Sequence, residues 1–301
     1  MINIRPSLAK ALPAATVILA REHQSVLEVY LLKRHAGSGF MAGNHVFPGG
    51  ILDGADWKLA VWQNHVDLAG ESLCKRLGGD LSTEQIMAYG VAAIRETLEE
   101  AGVFFANRMN QAETDLKRIA DHRCRAGLPR EWFLNLVISE GWTLAFSALY
   151  RWSRWITPLL MKRRFDTRFF LAFMPSGQRC QPDGRETTEG CWIHPAKGLA
   201  ANMSGEISLA PPTLVVLQEL SKYRTLADLK KAAQTRIWGS ANLPRLIPLK
   251  EGAMLVEPWD AQYHRPQITI DASGLTEALL PAGAPFSRIW YHKGRSLPIK
   301  A

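Results

Sequence analysis

Residues 95–103 read Arg-Glu-Thr-Leu-Glu-Glu-Ala-Gly-Val. On a helix, Glu96 lies three and four positions before Glu99 and Glu100, so the three carboxylates share one face. Three like charges repel one another, and the penalty grows if that face is half-buried. Mg²⁺ or Mn²⁺ would remove the penalty, because both favour carboxylate oxygens and also bridge phosphate oxygens. The alternative is a solvated acidic face with Arg95 as a local partner.

Flanking residues predict that this segment ends a long helix. Ser82 and Gln85 have the spacing of a capping box, and Gly102 suits the position that follows a helix. The spacing predicts a helix from Ser82 to Ala101. Gly90 weakens its middle by up to ~1 kcal/mol relative to alanine and allows a break there.

Two strands and a glycine-rich turn precede the helix. Residues 16–21 and 26–34 are apolar and β-branched around a charged connection, which predicts a hairpin. The apolar residues 11–20 resemble a signal peptide superficially, but we interpret them as part of the first strand. At Pro48-Gly49-Gly50 the backbone can come close to a metal or a phosphate, and Arg95 can orient Glu99 by a charge-assisted hydrogen bond.

The order of the remaining elements predicts an α+β fold. Strands come first, then the helix, then strands and helices again, which favours a mixed sandwich over alternating βαβ units. The patterns predict a helix-and-loop region at 56–76, helices at 111–139 with an interruption at 127–129, strands at 168–173 and 190–193, and helices at 212–222 and 226–235. Residues from 243 onward, rich in Pro and Gly, give no clear pattern.

Composition narrows the class of protein. Of 301 residues, 47% are hydrophobic, which is enough to form a substantial core without disulfide bonds. Cysteines at 74, 124, 180 and 191 are scattered without a zinc-ligand spacing, so we expect free thiols and a cytoplasmic location. No apolar run reaches the length of a membrane span.

The charge balance favours an anionic partner. Lys and Arg number 36 against 28 Asp and Glu, giving a net charge of +8. The excess forms no basic tail or long run, so a small polyphosphate fits at least as well as a nucleic acid. We therefore expect a small-molecule partner, no nucleic acid and no membrane; a homodimer stays open.

These residues resemble the Nudix hydrolase family. Its signature reads Gly, five residues, Glu, seven residues, then Arg-Glu-aliphatic-x-Glu-Glu-x-Gly-aliphatic, and Gly50 and residues 95–103 match it, with Thr97 at a usually aliphatic position. The first acidic position falls on Asp56, or else on Asp53. Thirty-eight residues, instead of seven, separate Asp56 from Arg95. A helical insertion at about 54–90 would explain this, with loop and helix meeting in space.

An interrupted signature of this kind resembles that of the acyl-CoA diphosphatases related to the peroxisomal enzyme. The similarity covers roughly residues 12–215. It rests on residues 31–34, 40–43, 46–50, 92–96, 155–158, 163–170, 189–195 and 209–213. It implies a Nudix domain of the α/β/α sandwich type with a mixed sheet, spanning 12–215, followed by a helical or irregular C-terminal extension at 216–301.

The resemblance also implies an activity and a site. The expected reaction is metal-dependent hydrolysis of CoA or acyl-CoA to 3′,5′-ADP and (acyl-)4′-phosphopantetheine, with Mg²⁺ or Mn²⁺ held by Glu96, Glu99 and Glu100. Candidate catalytic residues are Glu99, Arg95 and Glu189, with Glu186 as a weaker alternative base. The residues expected to bind the substrate phosphates are Arg34, Arg163, Arg164, Gly49 and Gly50.

Two other functions fit the sequence. The substrate could be another nucleoside diphosphate derivative, such as ADP-ribose, NADH or a nucleotide sugar. Alternatively, the chain could bind nucleotides or RNA without hydrolysing them, although proteins of that kind usually lose the signature glutamates that this chain keeps.

Overall fold

The computed structural model of the protein describes residues 9–39, 41–109 and 112–301. Phe40, part of one matching motif, and Gln111, the predicted start of a helical region, lie outside these ranges. Within them, no helix combines the length and the apolar character that crossing a bilayer requires.

The main sheet begins with the predicted hairpin, which the structure confirms. Its strands are β1 (Ala11–His23), β2 (Val26–Arg34), β3 (His45–Val46), β4 (Gly49–Ile51), β7 (Tyr150–Ile156), β8 (Arg164–Phe173) and β9 (Thr187–Ile193). A separate small ladder joins β5 (Ala106–Asn107) to β6 (Thr143–Leu144). The helices of the described ranges are α1 (Leu59–Trp62), α2 (Gly70–Leu77), α3 (Thr83–Ala101), α4 (Glu113–His122), α5 (Trp132–Glu140), α6 (Pro195–Ser204), α7 (Pro211–Leu220) and α8 (Leu226–Thr235).

The sheet is mixed, as predicted. Its described strands follow the order β3-β2-β1-β8-β7, while β4 pairs with β1 and β9 pairs with β2. The pairing of β1 with β8 is parallel over ten residues, and the other pairings of this sheet are antiparallel. Strand β1 therefore lies inside the sheet, with β2 on one edge and β8 on the other. Its two faces are left to pack against other elements.

Alternating side chains of β1 enter two different cores. Val17 and Leu19 pack with α3 in one cluster, whereas Ile18 and Ala20 pack with α7 in the other. Since successive strand residues point to opposite faces, the sheet is covered by helices on both sides. This is the α/β/α sandwich that the resemblance to the Nudix family implies.

Helix α3 has the predicted ends. The Ser82 hydroxyl accepts a hydrogen bond from the Gln85 N–H at 3.3 Å, and Gly102 ends the helix with a φ of 72°. The helix continues through Gly90 without a break. A Cβ at Gly90 would lie 2.5 Å from the Phe146 ring, so this glycine permits close packing.

Insertion helices fill the interval between Asp56 and Arg95. A 3₁₀ turn at Gly54–Trp57, α1, α2 and the first half of α3 occupy it, and its buried Trp62 and Leu73 join the α3-side core. The helical region beyond α3 breaks into α4 and α5, in agreement with the predicted interruption at 127–129. The predicted limits of the insertion, about 54–90, and of the Nudix domain, 12–215, stay predictions.

The C-terminal region differs from the expected helical or irregular extension. Beyond α8, the described strands β10 (Arg245–Pro248), β11 (Ala253–Val256), β12 (Arg288–His292) and β13 (Arg295–Ile299) form an antiparallel sheet. We call it the C-terminal sheet. Its strands have only four or five residues, and residues 257–287 separate β11 from β12, so no long alternating pattern marks them in the sequence.

Candidate active site

Arg95 connects the two halves of the interrupted signature. Its guanidinium donates to Asp56 through two nitrogens, at 2.8 and 3.1 Å, and to the Ile51 carbonyl at 3.0 Å. The third nitrogen donates to Glu96 at 2.7 Å and to Glu99 at 2.8 Å. The loop after β4 and the helix therefore meet in space across the insertion.

The two aspartates of the loop have different contacts. The Asp53 carboxylate accepts from the Ala55 N–H at 3.0 Å and caps the 3₁₀ turn. The Asp56 side chain is 1% exposed and forms a bidentate ion pair with the Arg95 guanidinium. Such forked contacts fix a guanidinium in orientation as well as position. Asp56 is thus the acid that restrains Arg95.

The turn Gly49-Gly50 lies directly against the helix carboxylates. The Gly49 N–H donates to Glu100 at 2.8 Å. A Cβ at Gly50 would lie 2.6 Å from a carboxylate oxygen of Glu96. Only a residue without a side chain leaves room for Glu96 at this point.

Glu99 is held from a third direction. Its second carboxylate oxygen accepts a hydrogen bond from the Trp132 indole at 2.9 Å, so α5 contacts the same group. Arg123, after α4, donates to the Glu99 carbonyl at 2.5 Å. Both contacts come from the segment that follows the helix, which the sequence patterns did not connect with the site.

Arg95 offsets only part of the negative charge of the three helix carboxylates. Burial, reinforced by the Glu99 carboxylate and opposed by Arg95, raises the pKa of Glu96 to about 7. Burial, together with the Glu96 carboxylate, raises the pKa of Glu100 well above its usual range. Burial also raises the pKa of Glu99, against the opposing contacts of Arg95 and Trp132. A bound cation would supply the missing charge.

The donor set suits a hard divalent ion, although its side chains do not surround a single point as they stand. Among the described residues, no group of three His, Cys, Asp or Glu side chains is arranged to hold a metal. Glu96 and Glu100 each retain one carboxylate oxygen outside the hydrogen bonds above. Glu100 is buried, the Glu96 side chain is 12% exposed, and the two carboxylates interact electrostatically with each other. Carboxylate oxygens of this kind are the ligands that Mg²⁺ and Mn²⁺ favour.

These groups open into a cavity of about 830 Å³, which we call the main cavity. Glu96, Glu99 and Glu100 line it together with the predicted phosphate-binding residues Arg34, Arg163, Gly49 and Gly50. The Arg34 Nε is buried without a hydrogen-bond partner among the described residues. Its charge lowers the pKa of Glu100. A buried, unpaired donor beside carboxylates is suited to an anionic ligand.

Arg164 lies elsewhere. It is buried, it donates to the carbonyls of Thr157 and Ala9 at 3.1 and 2.7 Å, and it is not among the residues that line the main cavity. Its guanidinium therefore ties chain segments together. The adjacent Arg163, which is exposed and lines the cavity, is the member of this pair placed to meet a ligand.

The two candidate loop bases, Glu186 and Glu189, also differ in whether they line a cavity. Glu189 on β9 accepts from the Lys33 ammonium at 3.0 Å and has a side chain that is 67% exposed. It is not among the residues described as lining the cavities. Glu186 lines the main cavity, and its charge raises the pKa of Glu100. The structure thus brings Glu186, and not Glu189, to the carboxylates.

A second, smaller cavity of about 430 Å³ adjoins the first at Glu99. We call it the basic cavity, because its lining includes the guanidinium-bearing residues Arg95, Arg123, Arg125, Arg130 and Arg185. Trp132 also lines it. The sequence patterns did not identify this group. Its members are dispersed from 95 to 185, and a single sequence carries no sign that they converge.

The amino-acid sequence is similar to that of one protein family and of several individual proteins. The family described as the NUDT19 Nudix domain matches residues 11–220. The chain is 28% identical to an acyl-coenzyme A diphosphatase NUDT19 of Gallus gallus over 98% of this chain and 93% of that protein. It is 29% identical to the Homo sapiens protein of the same name over 87% of this chain and 80% of that one.

A solved structure supports the fold. A Nudix hydrolase from Alicyclobacillus acidocaldarius superposes with a TM-score of 0.59 at 24% sequence identity, and the match covers 77% of this chain and 99% of that one. The family match spans the sheet, the interrupted signature and both helical layers. The chain therefore belongs to the Nudix hydrolase family, in the group defined by the NUDT19 Nudix domain.

Proposed function

We propose that this protein hydrolyses the diphosphate of CoA or acyl-CoA, releasing 3′,5′-ADP and (acyl-)4′-phosphopantetheine. The observation that carries the proposal is the main cavity, in which Glu96, Glu99 and Glu100 lie with the unpaired donor of Arg34. Acids beside basic groups suit a metal–diphosphate complex, in which both signs of charge must be met. The chicken and human relatives, named acyl-coenzyme A diphosphatases, support the choice of substrate.

Glu96, Glu99 and Glu100 are the residues that would hold Mg²⁺ or Mn²⁺. When bound, such an ion neutralises charge on the diphosphate and favours the ionisation of water. Arg95 acts as a positioning residue, since it holds two of these carboxylates and is itself held by Asp56. The protein thereby fixes its acids before the substrate arrives.

Arg34, Arg163 and the backbone at Gly49-Gly50 bind the substrate phosphates. Guanidinium groups present several donors to phosphate oxygens. Arg34 is buried at its Nε, whereas Arg163 is exposed at the mouth of the cavity. Arg34 therefore makes the larger contribution to substrate affinity.

Glu186 is the general base in this proposal. It lines both the main and the basic cavity, so its carboxylate can take a proton from water on the substrate side of the helix glutamates. Glu99 is a weaker choice, because Arg95 and Trp132 occupy its two oxygens. Glu189 is paired with Lys33.

A substrate panel tests the function. With Mg²⁺ or Mn²⁺ present, we expect release of 3′,5′-ADP from CoA and acyl-CoA to exceed turnover of ADP-ribose, NADH and nucleotide sugars. Loss of activity in a chelator and its return with added metal would support the metal requirement. Preference for another diphosphate would reject CoA as the substrate, and tight nucleotide binding without turnover would reject catalysis.

The choice of base has its own test. Glu186→Gln should lower kcat by about 10²- to 10⁴-fold, the usual contribution of general base catalysis. Glu189→Gln, three residues later on β9, should leave kcat unchanged. The opposite outcome would assign the base to Glu189.

A cytoplasmic location is also proposed. All four cysteines lie in the described ranges and are free thiols, which suits a reducing compartment. Fractionation of cells that express the chain would test this location, and light scattering of the purified protein would test the homodimer.

A further inference from the structure

We propose that the C-terminal sheet forms the acyl-binding wall of the main cavity, so that the fatty-acyl chain of acyl-CoA lies against β10 and β11. This inference rests on the proposed function. The sheet lies beyond residues 11–220, the part matched by the family. It nevertheless contributes Leu246, Ala253, Leu255 and Tyr291 to the lining of the cavity that holds the three glutamates.

The two faces of the C-terminal sheet have different roles. On β11, Met254 and Val256 belong to a small separate core, whereas Leu255 joins the core of the Nudix domain. Leu246 pairs with Leu255, and Ile247 pairs with Met254. Paired residues share a face, so Leu246 and Leu255 point towards the main sheet and Ile247 points away.

The floor of the cavity crosses the main sheet from the glutamates to this wall. Gly49 on β4 pairs with Thr16 on β1, and Thr16 pairs with Phe169 on β8. Two residues earlier on β1, Ala14 pairs with Thr167 on β8. Thr167 in turn pairs with Trp155 on β7. Crossing β4, β1, β8 and β7 covers about 14 Å at the usual strand spacing.

The chain continues directly from the floor to the wall. Trp155 forms a parallel bridge with Asn242, and the Ile156 N–H donates to the Asn242 carbonyl at 2.8 Å. Pro244 lines the cavity next, and β10 begins at Arg245. An arm that starts at the diphosphate can therefore follow this floor and reach an apolar surface at its far end.

The apolar end of the cavity suits an acyl chain better than a nucleotide. Leu246, Ala253 and Leu255 offer no hydrogen-bonding side chain to a base, and they remove apolar surface from water without a directional requirement. On the other side of Glu99, the basic cavity offers arginines and the Trp132 ring, which suit a phosphorylated nucleoside. The two cavities thus assign opposite ends of acyl-CoA to opposite sides of the glutamates.

Two variants test the wall with free CoA and decanoyl-CoA as substrates. Ala253→Phe fills part of the cavity and should lower kcat/KM for decanoyl-CoA by about tenfold or more, since even one methylene too many in an apolar pocket costs about tenfold. Leu246→Ala removes apolar contact and should lower the same constant by roughly 3- to 10-fold. Hydrolysis of free CoA, which has no acyl chain, should change by less than about twofold in both.

The matched control is Ile247→Ala, on the same strand but on the opposite face. It removes a similar side chain from the small separate core. It should therefore lower the Tm without changing the ratio of decanoyl-CoA to CoA activity. Measuring this ratio in all variants separates the acyl wall from general damage to the fold.

Three outcomes would overturn the proposal. An unchanged ratio in Ala253→Phe and Leu246→Ala, with CoA still hydrolysed, would reject the acyl wall and leave the diphosphatase function intact. An equal loss for CoA and decanoyl-CoA would place the nucleotide, rather than the acyl chain, against the sheet. A wild-type protein that hydrolyses neither compound would reject the proposed function together with the wall.

Discussion

Two regions of this protein bury carboxylates, and they differ in what surrounds them. On α3, Glu96 and Glu99 contact Arg95, Glu100 accepts from the Gly49 N–H, and all three line the main cavity. In the C-terminal region, Glu257 follows β11 and has no exposed surface. Neither of its carboxylate oxygens has a hydrogen-bond partner among the described residues.

Burial acts on both regions in the same direction, with different consequences. It raises the pKa of Glu257 to about 8, and that of Glu96 to about 7. Glu257 relieves the cost by keeping its proton at neutral pH. The α3 glutamates are offset by Arg95 and are open to a ligand. A buried acid indicates a functional site here only where a compensating group and a cavity accompany it.

The largest expected effect is on stability, from removing the carboxylate that pairs with Arg95. Asp56→Ala breaks the buried ion pair with Arg95 and should lower the free energy of unfolding by about 3–5 kcal/mol. Urea denaturation measures this loss. Asp53→Ala, three residues earlier, removes only a cap and should lose about 1 kcal/mol. Equal losses in the two variants would contradict the importance of the buried pair.

Neutralising one α3 carboxylate should abolish most activity with less effect on stability. Glu99→Gln is expected to lower kcat by about 10²- to 10³-fold, as for the loss of one preorganised electrostatic group. Metal-dependent release of 3′,5′-ADP measures it. Glu84→Gln, in the exposed first turn of the same helix, is the control and should keep full activity. Turnover in Glu99→Gln equal to that of the wild type would refute the site.

Glu257 should instead make the free energy of unfolding depend on pH. The folded protein keeps a proton on Glu257 up to about pH 8, whereas the unfolded chain loses it near the ordinary value of 4.5. Over that interval the folded state binds more protons, so the contribution of Glu257 to the free energy of unfolding falls as pH rises, by about 1.4 kcal/mol per unit. Glu257→Gln should remove this contribution, and activity should be unaffected.

The pH effect is measured as the difference between wild type and variant in urea denaturation at pH 5.5 and pH 7.0. About 2 kcal/mol should separate the two differences. Glu277→Gln, at an exposed position in the same C-terminal region, is the control and should leave the wild-type pH dependence unchanged. A Glu257→Gln protein that retains the wild-type dependence would show that this acid ionises normally in the folded state.

The smallest expected effect concerns the space that Gly50 leaves for Glu96. Gly50→Ala places a Cβ 2.6 Å from the Glu96 carboxylate, which must move. If Glu96 holds the metal as proposed, misplacing its carboxylate should lower kcat by roughly tenfold. Gly54→Ala is the matched control, since a Cβ there meets no atom within 4 Å. Similar activities in both variants would indicate that the position of Glu96 is unimportant.

Local signals in the sequence predicted the helix and its ends correctly. Ser82 with Gln85 and Gly102 defined the ends of α3 because caps satisfy specific backbone groups within a few residues. The β1–β2 hairpin also followed from local patterning. Gly90 was interpreted as a weak point, whereas its role depends on the Phe146 ring, which lies far away in sequence.

Long-range contacts limited the rest. Strand β7 and helix α6 received no prediction, and the C-terminal sheet was expected to be helical or irregular, because its short strands gain stability only from one another and from the main sheet. Of the three arginines predicted to bind phosphate, Arg34 and Arg163 line the main cavity and Arg164 does not, and phosphate binding by the first two stays a prediction. Nothing in the spacing of these arginines separates the two that line the cavity from the one that ties the backbone.

The parallel pairing of β1 with β8 has a consequence for biosynthesis. Ala11 pairs with Arg164 and Ala20 with Phe173, so the loop that this ladder closes contains β4, the insertion, α3 and α5. Closing so long a loop costs entropy before its contacts can repay it, which slows folding. A nascent chain that has not yet reached β8 carries all three α3 glutamates but lacks the strand that completes the floor beneath them. The main cavity can therefore be completed only after β8, which ends at Phe173, has been synthesised.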